Sequence, residues 1–146
     1  MNKYYHCSEF NLYLSQSQIK DSGFGVFTKD YITVNTKIDE YTGDILEFMT
    51  GGSYALRINE NYYIDGFNYP RCYMAMLNDA EFVPKKIIKK KKKKIDITPN
   101  GHYNNNILLQ NNCKFVIENN RAYVYSICDI YPNQELFISY GTNYWN

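Results

Sequence analysis

Asp129-Ile130-Tyr131-Pro132-Asn133-Gln134-Glu135-Leu136-Phe137-Ile138-Ser139-Tyr140-Gly141-Thr142-Asn143-Tyr144-Trp145 is the stretch on which the reading of this chain turns. A turn at Tyr131-Pro132-Asn133-Gln134 precedes an apolar strand, and a tyrosine and a glycine end that strand abruptly. A Tyr-Gly pair at a strand end can place a phenol where the backbone must approach something closely. Taken alone, the stretch fits a core tyrosine on a C-terminal strand equally well.

Working outward, three further stretches follow the same order along the chain. They are Gly23-Phe24-Gly25-Val26-Phe27, Asp39-Glu40-Tyr41-Thr42-Gly43-Asp44-Ile45 and Met76-Leu77-Asn78-Asp79-Ala80. Together with the C-terminal run, they resemble the SET-domain lysine methyltransferases. That family ends in a pattern of the form I-x-x-G-E-E-L-x-x-D-Y-G-x-x-Y-W. Its earlier motifs read G-x-G-V-F, E-Y-x-G-E and F-I-N-H/D-S/A. Each match alone is weak; the ordered set covers nearly the whole chain. The resemblance implies a mostly-β fold of several small sheets with short helices. It also implies a C-terminal segment tucked through a loop as a pseudoknot, an arrangement that periodicity does not reveal.

The 146 residues make one domain's worth of chain, 45% hydrophobic and able to bury a single core. Sixteen tyrosines and eight phenylalanines favour strands and supply phenol hydroxyls. No run of eighteen apolar residues is present, so no membrane span is expected, and Met1 to Phe10 has no apolar signal segment. Cys7, Cys72, Cys113 and Cys128 form no C-x-x-C pair. They read as buried reduced thiols in an intracellular protein, nuclear or cytoplasmic, with no metal site. The chain carries no cysteine cluster after Gly141, where many SET enzymes bind zinc, so it reads as a minimal, stand-alone SET domain. A composition heavy in Asn, Lys, Ile and Tyr fits AT-rich coding and a small viral member of the family.

The net charge of +1 hides a split. Lys85, Lys86 and Lys89 to Lys94 are eight of the sixteen basic residues. The remainder carries eight basic against fifteen acidic residues, a formal −7. An acidic body attracts a basic peptide such as a histone tail, though many soluble domains are mildly acidic. The lysine run fits nucleic-acid contact through Lys85 to Lys94, an import signal, or a solvated tract without a role.

Alternation and turn residues place strands at Phe10 to Leu14 and Gly23 to Phe27. Two short strands, or one bent at Gly43, are expected over Lys37 to Phe48. Hairpins are expected at Tyr54 to Ile64 around Asn59-Glu60-Asn61, and at Phe115 to Ile127 around Glu118-Asn119-Asn120-Arg121. A last strand is expected at Phe137 to Tyr140. Tyr69 to Leu77 has the spacing of a short helix, with Pro70 suited to its start. Residues 81–110, rich in Lys and Asn, read as an exposed and mobile insertion within the single domain 1–146.

Gly23-x-Gly25 lacks the third glycine of a dinucleotide fingerprint, because residue 28 is Thr. A simple tight turn remains the plainer reading. The SET resemblance instead implies that S-adenosylmethionine lies against Gly23, Phe24 and Gly25. Asn78 is then the second cofactor residue, with Asp79 where many members have His. Asn112 falls at a later asparagine position that helps hold the pocket. Tyr144 and Trp145 supply aromatic walls near the adenine, or pack the C-terminus. Tyr140 is implied as the catalytic phenol, also next to the cofactor. Tyr54 lines the lysine channel by the same resemblance, and Tyr41 is structural. Ile138 fills a slot that in the family influences the number of methyls; an aliphatic residue there leaves room for di- or trimethylation. The implied activity is protein-lysine N-methylation of a histone tail or another basic peptide. Competing readings are a weakly catalytic SET module that binds peptide or chromatin, and a nucleic-acid binder built on the lysine run. A homodimer partner, the 81–110 insertion or residues near Trp145 would close the channel wall.

Overall fold

The computed structural model describes residues 3–48, 52, 54–81, 86–90, 93–97 and 101–141, with 86–90 and 93–97 described by their backbone. Three three-stranded antiparallel sheets form its body. In the first, Phe24–Thr28 lies between Leu12–Gln16 and Glu135–Leu136. In the second, Arg121–Ser126 lies between Cys113–Glu118 and Lys37–Tyr41. In the third, Tyr63–Asp65 lies between Asp44–Leu46 and Ala55–Arg57. Buried Val26, Ile32, Ile38, Tyr41, Met74, Leu77, Val124, Ile130, Leu136 and Ile138 belong to one core cluster.

Local chemistry explains the corners. Asn119 and Asn120 both have positive φ (50° and 63°), the conformation of a two-residue hairpin turn matched to strand twist. The hairpin is therefore tighter than the four-residue turn expected from sequence. Gly43 separates two strands that enter different sheets. A Cβ there would sit 2.2 Å from the carbonyl oxygen of Asp65, so only glycine allows this approach.

Three expectations need correction. Pro70 does not start a helix: Arg71–Cys72 pairs in parallel with Tyr4–Tyr5, and a single 3-10 turn follows at Tyr73–Met76. Pairing to a strand far off in sequence overrides the local helical spacing. The last regular strand is Glu135–Leu136, not 137–140. Within residues 81–110, Lys86–Lys90 pairs antiparallel with Lys93–Ile97, and Tyr103–Asn104 with Ile107–Leu108. Cys72 and Cys113 are buried, but Cys7 and Cys128 are exposed. Among the described residues, no helix is long and apolar enough to cross a membrane, and no cluster of three metal-ligating side chains occurs.

Beyond Leu136 the chain threads between two other segments. Phe137 makes a parallel bridge to Asn78, and Ile138 makes one to Cys113. The Ile138 amide donates to the Asn78 carbonyl at 2.9 Å. The Asn112 and Cys113 amides donate to the Phe137 carbonyl at 3.0 and 2.9 Å. A chain end held on both sides by segments distant in sequence is the pseudoknot that the resemblance implies.

Candidate functional site

Asn78 emerges directly after the 3-10 turn and Leu77, beside the threaded segment. Its side-chain amide donates to the Phe24 carbonyl at 3.1 Å, which joins the glycine turn to the asparagine motif. Gly23 adopts φ +64° with open space where a Cβ would be, so its backbone conformation, not crowding, favours glycine. The half-exposed Phe24 ring follows it. A cleft of about 370 Å³ is lined here by Gln16, Ile19, Asp21, Ser22, Gly23 and Phe24. A larger cleft of about 420 Å³ lies between residues 107–112 and 128–135 and contains neither Tyr140, Asn78 nor the glycine turn. The smaller one holds the glycine turn, though neither Asn78 nor Tyr140 lines it, and the larger one is lined by Asn112 and Glu135.

Gly25 has a structural reason of its own. A Cβ at this position would fall 2.1 Å from Oε2 of Glu135. That carboxylate is buried, and it accepts hydrogen bonds from Ser17 Oγ (2.7 Å) and the Gln18 amide (2.8 Å). Burial pushes the Glu135 carboxyl above its ordinary range; bonds from Gln18, Ser17 and the Asn78 side chain oppose that shift. Glu135 therefore fixes the glycine turn, Asn78 and the start of the threaded segment together. The sequence reading gave it no role, because its partner Ser17 lies 118 residues away.

Asn112 clamps the same segment. Its Nδ2 donates to the Glu135 carbonyl (2.9 Å) and its Oδ1 accepts from the Phe137 amide (2.8 Å). Asn111 was missed from sequence and has a similar duty. Its Oδ1 accepts from the Ala80 amide (2.8 Å), and its Nδ2 donates to Asp79 Oδ1 (2.9 Å). The second Asp79 oxygen accepts from the Tyr140 amide at 3.4 Å. Asp79 thus ties the asparagine motif to the chain end. In a sequence so rich in asparagine, spacing alone could not separate Asn111 from Asn112.

The Tyr140 hydroxyl donates to the Leu77 carbonyl, one residue before Asn78. The Tyr140 ring packs against Phe115, with centroids 6.1 Å apart. Ile138 is wholly buried in the main core. Tyr54 is half-buried; its hydroxyl accepts from Arg71 Nη1 at 3.3 Å, and its carbonyl accepts from the Tyr41 hydroxyl. Tyr41 is buried, in keeping with a structural part. Arg71, also missed from sequence, is 5% exposed. Tyr144, Trp145 and Lys85 lie outside the described residues.

Small sheets packed around a threaded C-terminal segment define a pseudoknotted, mostly-β scaffold, distinct from the doubly wound α/β sheets that bind dinucleotides. The family model for the SET domain matches residues 23–141, and the chain belongs to the SET-domain family. Two solved structures share the fold, each with a TM-score of 0.58 and 18% identity. One is a crystal structure of KRYPTONITE in complex with mCHG DNA and SAH; the other holds KRYPTONITE with mCHH DNA, an H3(1-15) peptide and SAH. Each match covers 92% of this chain and 24% of the KRYPTONITE chain. No curated protein sequence matches the chain. The methyl donor of the family is S-adenosylmethionine. The residues present suit such a molecule: the cleft is lined by apolar Ile19 and Phe24 and by polar Gln16, Asp21 and Ser22.

Proposed function

We propose that this chain is an S-adenosylmethionine-dependent protein-lysine N-methyltransferase that acts on a histone tail. One observation carries the reading. The Tyr140 hydroxyl is anchored on Leu77, the residue next to Asn78, whose amide is anchored on the Phe24 carbonyl at 3.1 Å. A phenol and a cofactor turn are thereby held in one rigid unit, as alignment-dependent chemistry requires.

Gly23, Phe24, Gly25, Asn78 and Asp79 hold the methyl donor, with Asn112 and Glu135 keeping the pocket in shape. When bound, that donor would supply an electrophilic methyl on a sulfonium leaving group for displacement by the lysine nitrogen. The chain's own groups do the rest. Tyr140 orients the incoming amine, which must be neutral to attack although free lysine has a pKa near ~10.4. Phe115 and Tyr54 shape an apolar channel that disfavours the ammonium form. The product nitrogen sheds its proton to solvent, so no histidine base is required. Ile138 presents no hydroxyl to hold a water, which leaves room for a second and third methyl.

The histone assignment is supported by the −7 charge outside the lysine run and by the H3 peptide in one of the KRYPTONITE structures. Labelled methyl transfer to a panel of core histones tests it. Labelling of one histone supports the reading; binding of S-adenosylhomocysteine with no histone labelled removes the substrate and keeps the cofactor.

A second, compatible role falls to the lysine run. Its backbone register sets Lys93 opposite Lys90 and Lys94 opposite Lys89. Like charges directly across a strand pair destabilise it, which a polyanion would relieve. Nucleic-acid phosphates are the matching chemistry. Binding of a DNA duplex that weakens steeply with salt, and is lost when Lys89, Lys90, Lys93 and Lys94 become Ser, is the expected result. Binding unchanged by those substitutions rules this role out.

A further inference from the structure

Arg71 is a buried cation without a carboxylate partner among the described residues. Its Nε donates to the carbonyls of Gly66 (3.2 Å) and Phe67 (3.0 Å), and Nη2 also donates to Phe67. Its Nη1 reaches the Tyr54 hydroxyl (3.3 Å) and the Met76 sulfur (3.8 Å). The guanidinium carbon lies 4.2 Å from the Tyr54 ring centroid, 4.4 Å from that of Tyr69 and 5.2 Å from that of Phe67. Every one of these acceptors is uncharged. Arginine tolerates such a site better than lysine, because its charge is spread over a plane that stacks on rings. The positive charge is thus held in place by uncharged acceptors.

Its position gives that charge a target. Tyr54, on one side, is the proposed channel tyrosine. On the other side, Met76 directly precedes Leu77, whose carbonyl anchors the Tyr140 hydroxyl. The guanidinium therefore sits between the attachments of both channel phenols.

None of the other titratable groups around it forms an ion pair with it among the described residues. Lys3 adds positive charge from the paired strand, with its ammonium 5.5 Å from the Tyr69 ring centroid. Around it stand the Tyr54 and Tyr69 rings, which stack on the guanidinium. The nearby carboxylates of Asp65 and Asp44 accept from the Phe67 amide (3.0 Å) and from Asn68 Nδ2 (2.6 Å), not from Arg71.

We propose that Arg71 is a positioning residue of the lysine channel whose fixed charge, without a carboxylate partner among the described residues, keeps the target amine neutral while its hydrogen bond holds the Tyr54 phenol. The proposal rests on the methyltransferase reading above. A like charge in a poorly solvated site disfavours protonation of a second amine. The assay is methyl transfer from labelled S-adenosylmethionine to core histones at saturating peptide and cofactor. It is followed across the alkaline range for wild type, Arg71→Lys, Arg71→Met and Arg71→Gln. Under those conditions kcat reports the groups of the bound complex. In wild type kcat rises as the bound amine loses its proton. Removing the charge raises that amine's pKa, so the rise moves to higher pH by about one unit in both neutral variants. Arg71→Lys keeps the wild-type midpoint at a lower plateau. A merely structural role changes plateau or stability but leaves the midpoint in place. Gln retains hydrogen-bonding capacity should Met fail to fold, and an unmoved midpoint in either folded neutral variant overturns the proposal. Absence of transfer by wild type refutes the methyltransferase reading itself and takes this role with it.

Discussion

Gly25→Ala separates a glycine required by the protein's own packing from one required by a bound cofactor. Its φ is not in the left-handed region, so alanine is conformationally allowed and the substitution isolates a clash. The added Cβ meets Glu135 at three atoms: Oε2 at 2.1 Å, Cδ at 2.7 Å and Cγ at 3.3 Å. The carboxylate cannot swing away freely, because it would surrender bonds from Ser17 and Gln18 inside a buried site. Overpacking a core costs about 1–3 kcal/mol, and a lost hydrogen bond to a charged group adds about 1.5–3 kcal/mol. A destabilisation of about 3 kcal/mol is expected, a large share of the stability of a domain this size. The assay is urea unfolding of wild type, Gly25→Ala, Glu135→Ala and the double variant without cofactor. Because Glu135→Ala removes the obstructing atoms, the two changes should be non-additive by about 2 kcal/mol, with the double variant milder than the sum. Strict additivity, or a loss below about 1 kcal/mol in Gly25→Ala, would refute the packing argument and return Gly25 to a purely cofactor-facing role.

Three further outcomes are expected. Asn112→Ala strips the bonds to the Glu135 carbonyl and the Phe137 amide, so unfolding should show a loss of about 2–4 kcal/mol, and Asn112→Asp, which keeps the acceptor, should lose less. Glu135 has a raised folded pKa, so the folded state binds the proton more tightly than the unfolded one. Its contribution is fullest below the unfolded carboxyl range and falls as pH rises towards the raised folded value; Glu135→Gln should flatten that part of the stability–pH curve measured by thermal unfolding. Ile138→Tyr should restrict the product towards monomethyl-lysine when peptide masses are compared with wild type, and an identical methyl count in both proteins would remove Ile138 from product control.

The parts of the fold that depend on short-range pattern were legible in the sequence. Asn119-Asn120 marks a hairpin, Gly43 marks a break, and the Gly23 turn announces itself by composition. Asn78 and Asn112 stood out only through the ordered family motifs, and both take part in holding the threaded segment. What stayed hidden was long-range. Glu135 reads as one acid in a polar turn until Ser17, Gln18 and Gly25 close around it. Arg71 drew no reading from the sequence; pairing of Arg71–Cys72 with Tyr4–Tyr5 accompanies its burial. The Lys86–Lys90 pairing with Lys93–Ile97 was not legible from the charge run; the isoleucines at 87, 88, 95 and 97 supply the β-branched character that the lysines lack. No local period encodes the passage of residues 137–138 between Asn78 and Cys113.

The most direct test of the proposed chemistry compares wild type with Tyr140→Phe in two measurements on the same samples: S-adenosylhomocysteine binding by calorimetry, and labelled methyl transfer to core histones. The expected result is closely similar binding in both proteins, with transfer falling at least about 100-fold in the variant. Transfer by Tyr140→Phe at the wild-type rate, with binding intact, would contradict the assignment of Tyr140 as the catalytic phenol.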